Sequence, residues 1–147
     1  ISSRFKYSCF VNIVEEMELN LYPESQRSVL FDLLSYANKI ELNRLVLTTH
    51  SPYVINYLTL AAKAFLLTQK VSANETLQER VKEVVPADSA IDPARLRIYE
   101  LKDGGGFRLS TYEGLPSDEN FLNIQLGVTN ELFDQLLEIE QEFDYKN

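Results

Sequence analysis

Val11-Asn-Ile-Val-Glu-Glu-Met-Glu-Leu-Asn-Leu-Tyr-Pro23, followed by Leu45-Val-Leu-Thr-Thr-His-Ser-Pro52, decides the fold of this chain. The first apolar run, Ser8–Val14, is rich in β-formers and ends in two adjacent carboxylates, Glu15 and Glu16. The second, Leu45–Thr49, ends in His50, the only histidine of the sequence. Continuous rather than alternating apolarity predicts strands buried on both faces, as in a parallel sheet. The segment between them reads as a helix. Pro23 suits a first-turn position, and Glu24 follows where the helix dipole favours an acid. Leu30, Leu33, Leu34 and Ala37 then recur at helical spacing. Strand, helix and strand of this length make a right-handed βαβ crossover.

Working outward, Ser51-Pro52 reads as an N-cap followed by proline at the first helical position. That helix is expected to run to about Leu67, with Val54, Ile55, Leu58 and Ala62 facing inward. Asn74–Val84 predicts a shorter amphipathic helix, and the proline-bounded stretch Pro86–Pro93 a loop. Leu96, Ile98 and Leu101, then Asp103-Gly-Gly-Gly106, then Phe107–Tyr112 predict a β-hairpin with a glycine turn. In the tail, Leu132, Leu136, Ile139 and Phe143 fall four, three and four apart, the seam of a helix expected to pack on the same lobe. The expected organisation is a first α/β part over residues 1–70, built on the two strands and their crossover. A helix, a hairpin and an acidic helical tail follow over 71–147.

Composition narrows the functional classes. The chain has 147 residues, and 45% of them are hydrophobic, including eight Phe and eight Tyr, enough for a real core. Cys9 is the only cysteine, so no disulfide forms within the chain and no Cys/His zinc site can be built from it. Any bound metal must take oxygen ligands, which points to magnesium or a similar hard ion. The net charge of −8 argues against a broad nucleic-acid surface. Residues 131–144 carry six of the acids and no base, a pattern typical of a solvated helix face. No apolar run is long enough to span a bilayer and no secretory leader is visible, so the expected location is the cytoplasm.

The chemistry-bearing groups cluster at the two expected strand ends. Crowded carboxylates after a strand favour binding a cation or acting as a base, and Glu18 adds a third acid. Continued extended geometry would point Glu15 and Glu16 in opposite directions. A histidine before a helix start can donate a hydrogen bond to a phosphate oxygen or to an attacking water. Ligands of open α/β sheets bind at this edge, the carboxyl ends of the strands. The same residues also suit an acidic loop and a capping or packing histidine.

Taken together, VNIVEEMELNLYPESQ and LVLTTHSPY resemble the C-terminal half of an ABC-type nucleotide-binding domain. More closely they resemble AAA-type ATPases related to the overcoming-lysogenization-defect (OLD) and SMC-like proteins. The fold this implies is α/β: a partial P-loop NTPase lobe with parallel strands and a crossover helix, followed by a β-hairpin and C-terminal helices. By this resemblance Ile13-Val14-Glu15-Glu16 is the Walker B motif. Glu15 matches the position that holds magnesium, Glu16 the glutamate that polarises the attacking water, and His50 the switch histidine near the γ-phosphate. Leu19–Gln26 matches the segment at the interface between two heads, which implies a homodimer. The implied cofactors are ATP and Mg2+. Met17 stands where proline is usual, which is expected to loosen the turn, and Tyr22 where His or Phe is frequent.

The nucleotide-gripping partner motif, G-x-x-x-x-G-K-[ST], is not found in these residues, nor is a serine–glycine signature segment. The expectation is a C-terminal part of a longer ATPase, inactive by itself, with ATP held through an N-terminal part. The alternative is a non-catalytic interaction module with a degenerate ATPase fold that docks a partner through its acidic tail. Tyr112-Glu-Gly-Leu-Pro-Ser-Asp118 resembles the start of a TOPRIM nuclease domain, but no Asp-x-Asp follows it. Glu113 and Asp118 are therefore expected in a turn and at a helix cap.

Overall fold

The computed structural model describes residues 9–146, with the backbone alone at 142, 144 and 146. Ser8, where the first strand was expected to begin, lies outside them. Strands β1 (Val11–Val14) and β2 (Arg44–Leu47) pair in parallel, with Val11 opposite Arg44 and Val14 opposite Leu47. Helix α1 (Pro23–Asn38) makes the crossover and carries Pro23 in its first turn. The pairing runs slightly past the strands. Thr48 N donates to Val14 O at 3.1 Å, and Glu16 N donates to Thr48 O at 3.0 Å.

Burial on both strand faces is not what the structure has. Val14, Leu45 and Leu47 pack on the core. Val11 and Ile13 remain 62% and 68% exposed, and Val46 47%. The reason is that the core residues of α1 (Leu30, Phe31 and Leu34) and of α2 (Pro52–Lys70: Val54, Leu58, Ala61 and Ala64) gather on the same sheet face. Parallel sheets are normally covered on both sides, so the opposite face is apolar surface without a cover among the described residues.

Helix α2 runs three residues beyond its expected end at Leu67. Helix α3 (Glu75–Val84) is capped by Asn74, whose side chain accepts from Leu77 N. Val85 follows it into the core at 2% exposure. The stretch expected as a loop after Pro86 is tied to α1. Ser89 Oγ donates to Phe31 O at 2.9 Å, Ser35 Oγ to Asp88 at 2.7 Å, and Asn38 Nδ2 to the carbonyls of Asp88 and Ala90. A short 3-10 turn, Pro93–Arg95, ends it.

The hairpin forms as β3 (Tyr99–Lys102) and β4 (Gly105–Arg108), with Lys102 opposite Gly105. Asp103 and Gly104 both have positive φ, 50° and 74°, as a two-residue type I′ turn demands. A second, smaller hairpin joins β5 (Thr111–Tyr112) to β6 (Leu115–Pro116). Glu113 and Gly114 form its turn, again at positive φ. Glu113 is thus a turn residue, and the resemblance to a nuclease start reduces to hairpin geometry.

Helix α4 (Phe121–Lys146) has 26 residues and is about 39 Å long. Its cap is Asn120 rather than Asp118: Asn120 Oδ1 accepts from Asn123 N at 3.0 Å, and Glu100 Oε1 accepts from Phe121 N at 2.6 Å. Asn120 is buried beneath the turn while Asp118 points to solvent. The seam expected to pack is more exposed than buried. Leu132, Leu136, Ile139 and Phe143 are 56–67% exposed. No described helix is long and apolar enough to cross a membrane.

Met17 corrects another expectation. In place of a proline it does not loosen the turn after β1, because its side chain is buried in the core that α1 and α2 share. Met17→Ala is expected to lower the unfolding free energy by about 2–4 kcal/mol in urea titration. Leu101→Ala, at a position 83% exposed, should change it by less than about 0.5 kcal/mol.

Candidate functional site

Parallel pairing puts the carboxyl ends of β1 and β2 at one edge, and the polar groups converge there. Extended geometry stops at Val14, so Glu15 and Glu16 are not splayed by strand alternation. Glu16 adopts φ 47°, in the left-handed region. The chain then turns tightly: Leu19 N donates to Glu16 O and Leu21 N to Glu18 O, both at 2.9 Å. Asn20, at φ 61°, takes a second left-handed position, which asparagine tolerates well.

This turn carries two of its acids to the end of β2. Glu16 Oε1 lies 3.3 Å from His50 Nε2. Glu18 Oε1 accepts from the backbone N–H of His50 at 2.6 Å. The other oxygen of Glu18 is buried and has no hydrogen-bond partner. Glu15 is exposed and makes no side-chain hydrogen bond or ion pair among the described residues. Thr48 Oγ1 accepts from Glu16 N at 3.1 Å, stitching the two loops once more.

Behind His50 lies a buried polar pair. Ser51 Oγ donates to Gln26 Oε1 at 2.6 Å, and Gln26 Nε2 donates to Leu21 O at 2.9 Å. Both residues are 7% exposed. Ser51 does occupy the N-cap position of α2, but its hydroxyl caps nothing: it is turned onto Gln26 instead. Pro52 has no N–H to satisfy, which lowers the demand for a cap.

Magnitudes show what holds His50. Its side chain is 83% exposed and that of Glu16 46%, and such pairs contribute about 0–1 kcal/mol. A hydrogen bond to a carboxylate contributes roughly 1.5–3 kcal/mol, and a buried serine–glutamine bond is costly to break. The main chain around His50 is therefore the fixed part, and the ring contact follows from it.

The structure thus puts the acids and His50 at neighbouring strand ends, as the sequence suggested, and within that edge brings Glu16 against His50 and leaves Glu15 beside them. Sequence reasoning missed the part played by Glu18, Gln26 and Ser51. Gln26 was legible as a polar residue in an otherwise apolar helical stripe. No group of three or more His, Cys, Asp or Glu residues is arranged to hold a metal ion among the described residues. A separate shallow depression lies between Pro93, Leu96, Ile98, Arg108, Leu109 and Pro116. None of the groups at the strand ends lines it.

Residues 11–56 match the family model described as "AAA domain, putative AbiEii toxin, Type IV TA system". Over that span the chain resembles an AAA-type, P-loop NTPase-like region. It contains β1, the three acids, α1, β2, His50 and the start of α2. No curated protein and no solved structure matches the chain.

Within this region the Ser51–Gln26 bond is the test of the buried scaffold. Ser51→Ala leaves Gln26 Oε1 without its donor and should cost about 1–3 kcal/mol in chemical denaturation. Ser51→Ala combined with Gln26→Leu should cost less than the sum of the two single changes, read as a double-mutant cycle.

Proposed function

We propose that this chain supplies the hydrolytic half of an ATP site in an AAA/ABC-type ATPase of the OLD/SMC-like kind. The observation that carries the reading is the 3.3 Å approach of Glu16 to His50 across the parallel strand ends, inside the matched region. In this reading Glu16 accepts the proton of the water that attacks the γ-phosphorus. His50 donates a hydrogen bond to the γ-phosphate, where charge accumulates as ADP departs.

Glu15 is the residue that would hold magnesium. Magnesium keeps several waters and takes one or two carboxylates beside phosphate oxygens. A single exposed carboxylate without a competing partner suits that coordination, and the ion would neutralise phosphate charge. Glu16 and His50 engage each other and are left for water and phosphate.

The grip on the nucleotide is assigned to a phosphate loop outside these residues, on an N-terminal part. The uncovered face of Val11, Ile13 and Val46 supports that assignment, since it has the character of a sheet surface awaiting a layer. Leu19 and Tyr22, 65% and 83% exposed, support the further proposal that this segment meets a second ATPase head. The setting that fits these properties is the cytoplasm.

Isothermal calorimetry on the 147-residue chain is expected to show Mg-ATP binding weaker than about 1 mM. Micromolar binding would refute the division of labour. In the complete ATPase, Glu16→Gln should slow turnover by roughly 10²–10⁴-fold and leave nucleotide binding nearly unchanged. Unaltered turnover would end the assignment of the base.

One observation favours a second reading, a non-catalytic module. The exposed seam of α4 lies on a helix whose last half is strongly acidic, which fits a partner segment with an apolar stripe and basic flanks. Partner capture by the wild-type chain that Glu16→Gln leaves unchanged, with no ATP turnover by the wild type in any assembly, would favour the module over the ATPase.

A further inference from the structure

We propose that Glu18 is the positioning residue of this site, the group that sets His50 opposite Glu16. Three acids follow β1, and among the described residues only Glu18 bonds the main chain at the end of β2 through its side chain. Its carboxylate is carried on a fixed turn. Met17 before it is buried in the core, and the carbonyl of Glu18 accepts from Leu21 N at 2.9 Å. From there Oε1 reaches the His50 N–H at 2.6 Å.

The other side of His50 is fixed as well, because Ser51 is held by Gln26. The imidazole is thus mounted on a backbone segment clamped at two successive residues. The ring itself is mostly in solvent and cannot set its own place. The second oxygen of Glu18 is buried without a donor, an arrangement that works against stability. An alanine would bury no such oxygen but would release the His50 amide.

The positioning stands on this geometry; only its effect on catalysis rests on the ATPase reading above. The test begins with the wild-type chain in solution. Nuclear magnetic resonance should detect a through-hydrogen-bond coupling between the His50 amide nitrogen and the Glu18 carboxyl carbon. Its absence would overturn the proposal whether or not any variant folds. Glu18→Ala should then speed hydrogen exchange of the His50 amide by roughly 10- to 100-fold. The amides of Leu30 and Leu58 should keep their protection. Glu18→Gln, which retains an acceptor, should restore most of the protection at His50. Unchanged exchange in Glu18→Ala, or no restoration by Gln, would overturn the clamp.

In the complete ATPase, Glu18→Ala should lower kcat roughly tenfold with KM changed by less than about twofold, and Glu18→Gln should recover most of it. A change in KM alone would overturn the catalytic consequence. If the complete protein showed no ATP turnover while the His50 amide effects held, the ATPase reading would fall and the positioning role would stand.

Discussion

The pairing of two four-residue strands in parallel is the constraint on which the rest depends. An antiparallel pair would have put the end of β1 beside the start of β2 and carried Glu16 and His50 to opposite edges. Parallel pairing demands a long crossover, which α1 provides. It also brings both carboxyl ends to one place. The core then follows: α1 and α2 cover the same sheet face, and Met17 reaches into the core they share. The tight turn after β1 has no freedom left once Met17 is buried and Thr48 bonds Glu16. The acids are delivered to His50 by that confinement more than by attraction between charges.

This order of causes bears on the kind of site it is. A site held by its side-chain ion pair would weaken in salt, since exposed pairs are screened. Here the exposed pair is the last and weakest link, and the buried serine–glutamine bond and the carboxylate on a backbone amide are the first. Opening the contact between Glu16 and His50 would leave undisturbed the bonds that support it. The AAA-type region and the polar cluster coincide, so the matched span carries the whole assembly from β1 to the start of α2.

Much of this was legible in the sequence. The two apolar runs, the helical spacing of Leu30, Leu33, Leu34 and Ala37, and prolines at the first position of two helices were enough for the crossover. Asp103-Gly104 announced its hairpin, because few other pairs accept two positive φ angles. Glu16 and His50 could be placed together because strand ends are easy to infer. Glu18 could not: its partner is a backbone N–H, which every residue but proline has, so no side-chain pattern reports it. The Ser51 cap failed for a related reason, since a distant Gln26 outcompeted the local amides. The open faces of β1, β2 and α4 were also hidden. Apolar pattern states which side chains seek cover, and says nothing of whether this chain provides it.

Glu16 itself sits at φ 47°, a conformation that costs a residue with a side chain about 1–2 kcal/mol relative to the right-handed region. Glycine would adopt it without that penalty. Selection for folding alone would therefore drift this position toward glycine, and a screen for thermostable variants should recover that change at the loss of the carboxylate. On the proposed reading, the carboxylate that this position lends to the strand-end site is what sets it apart from Glu113, which has a similar φ of 51° in a plain turn.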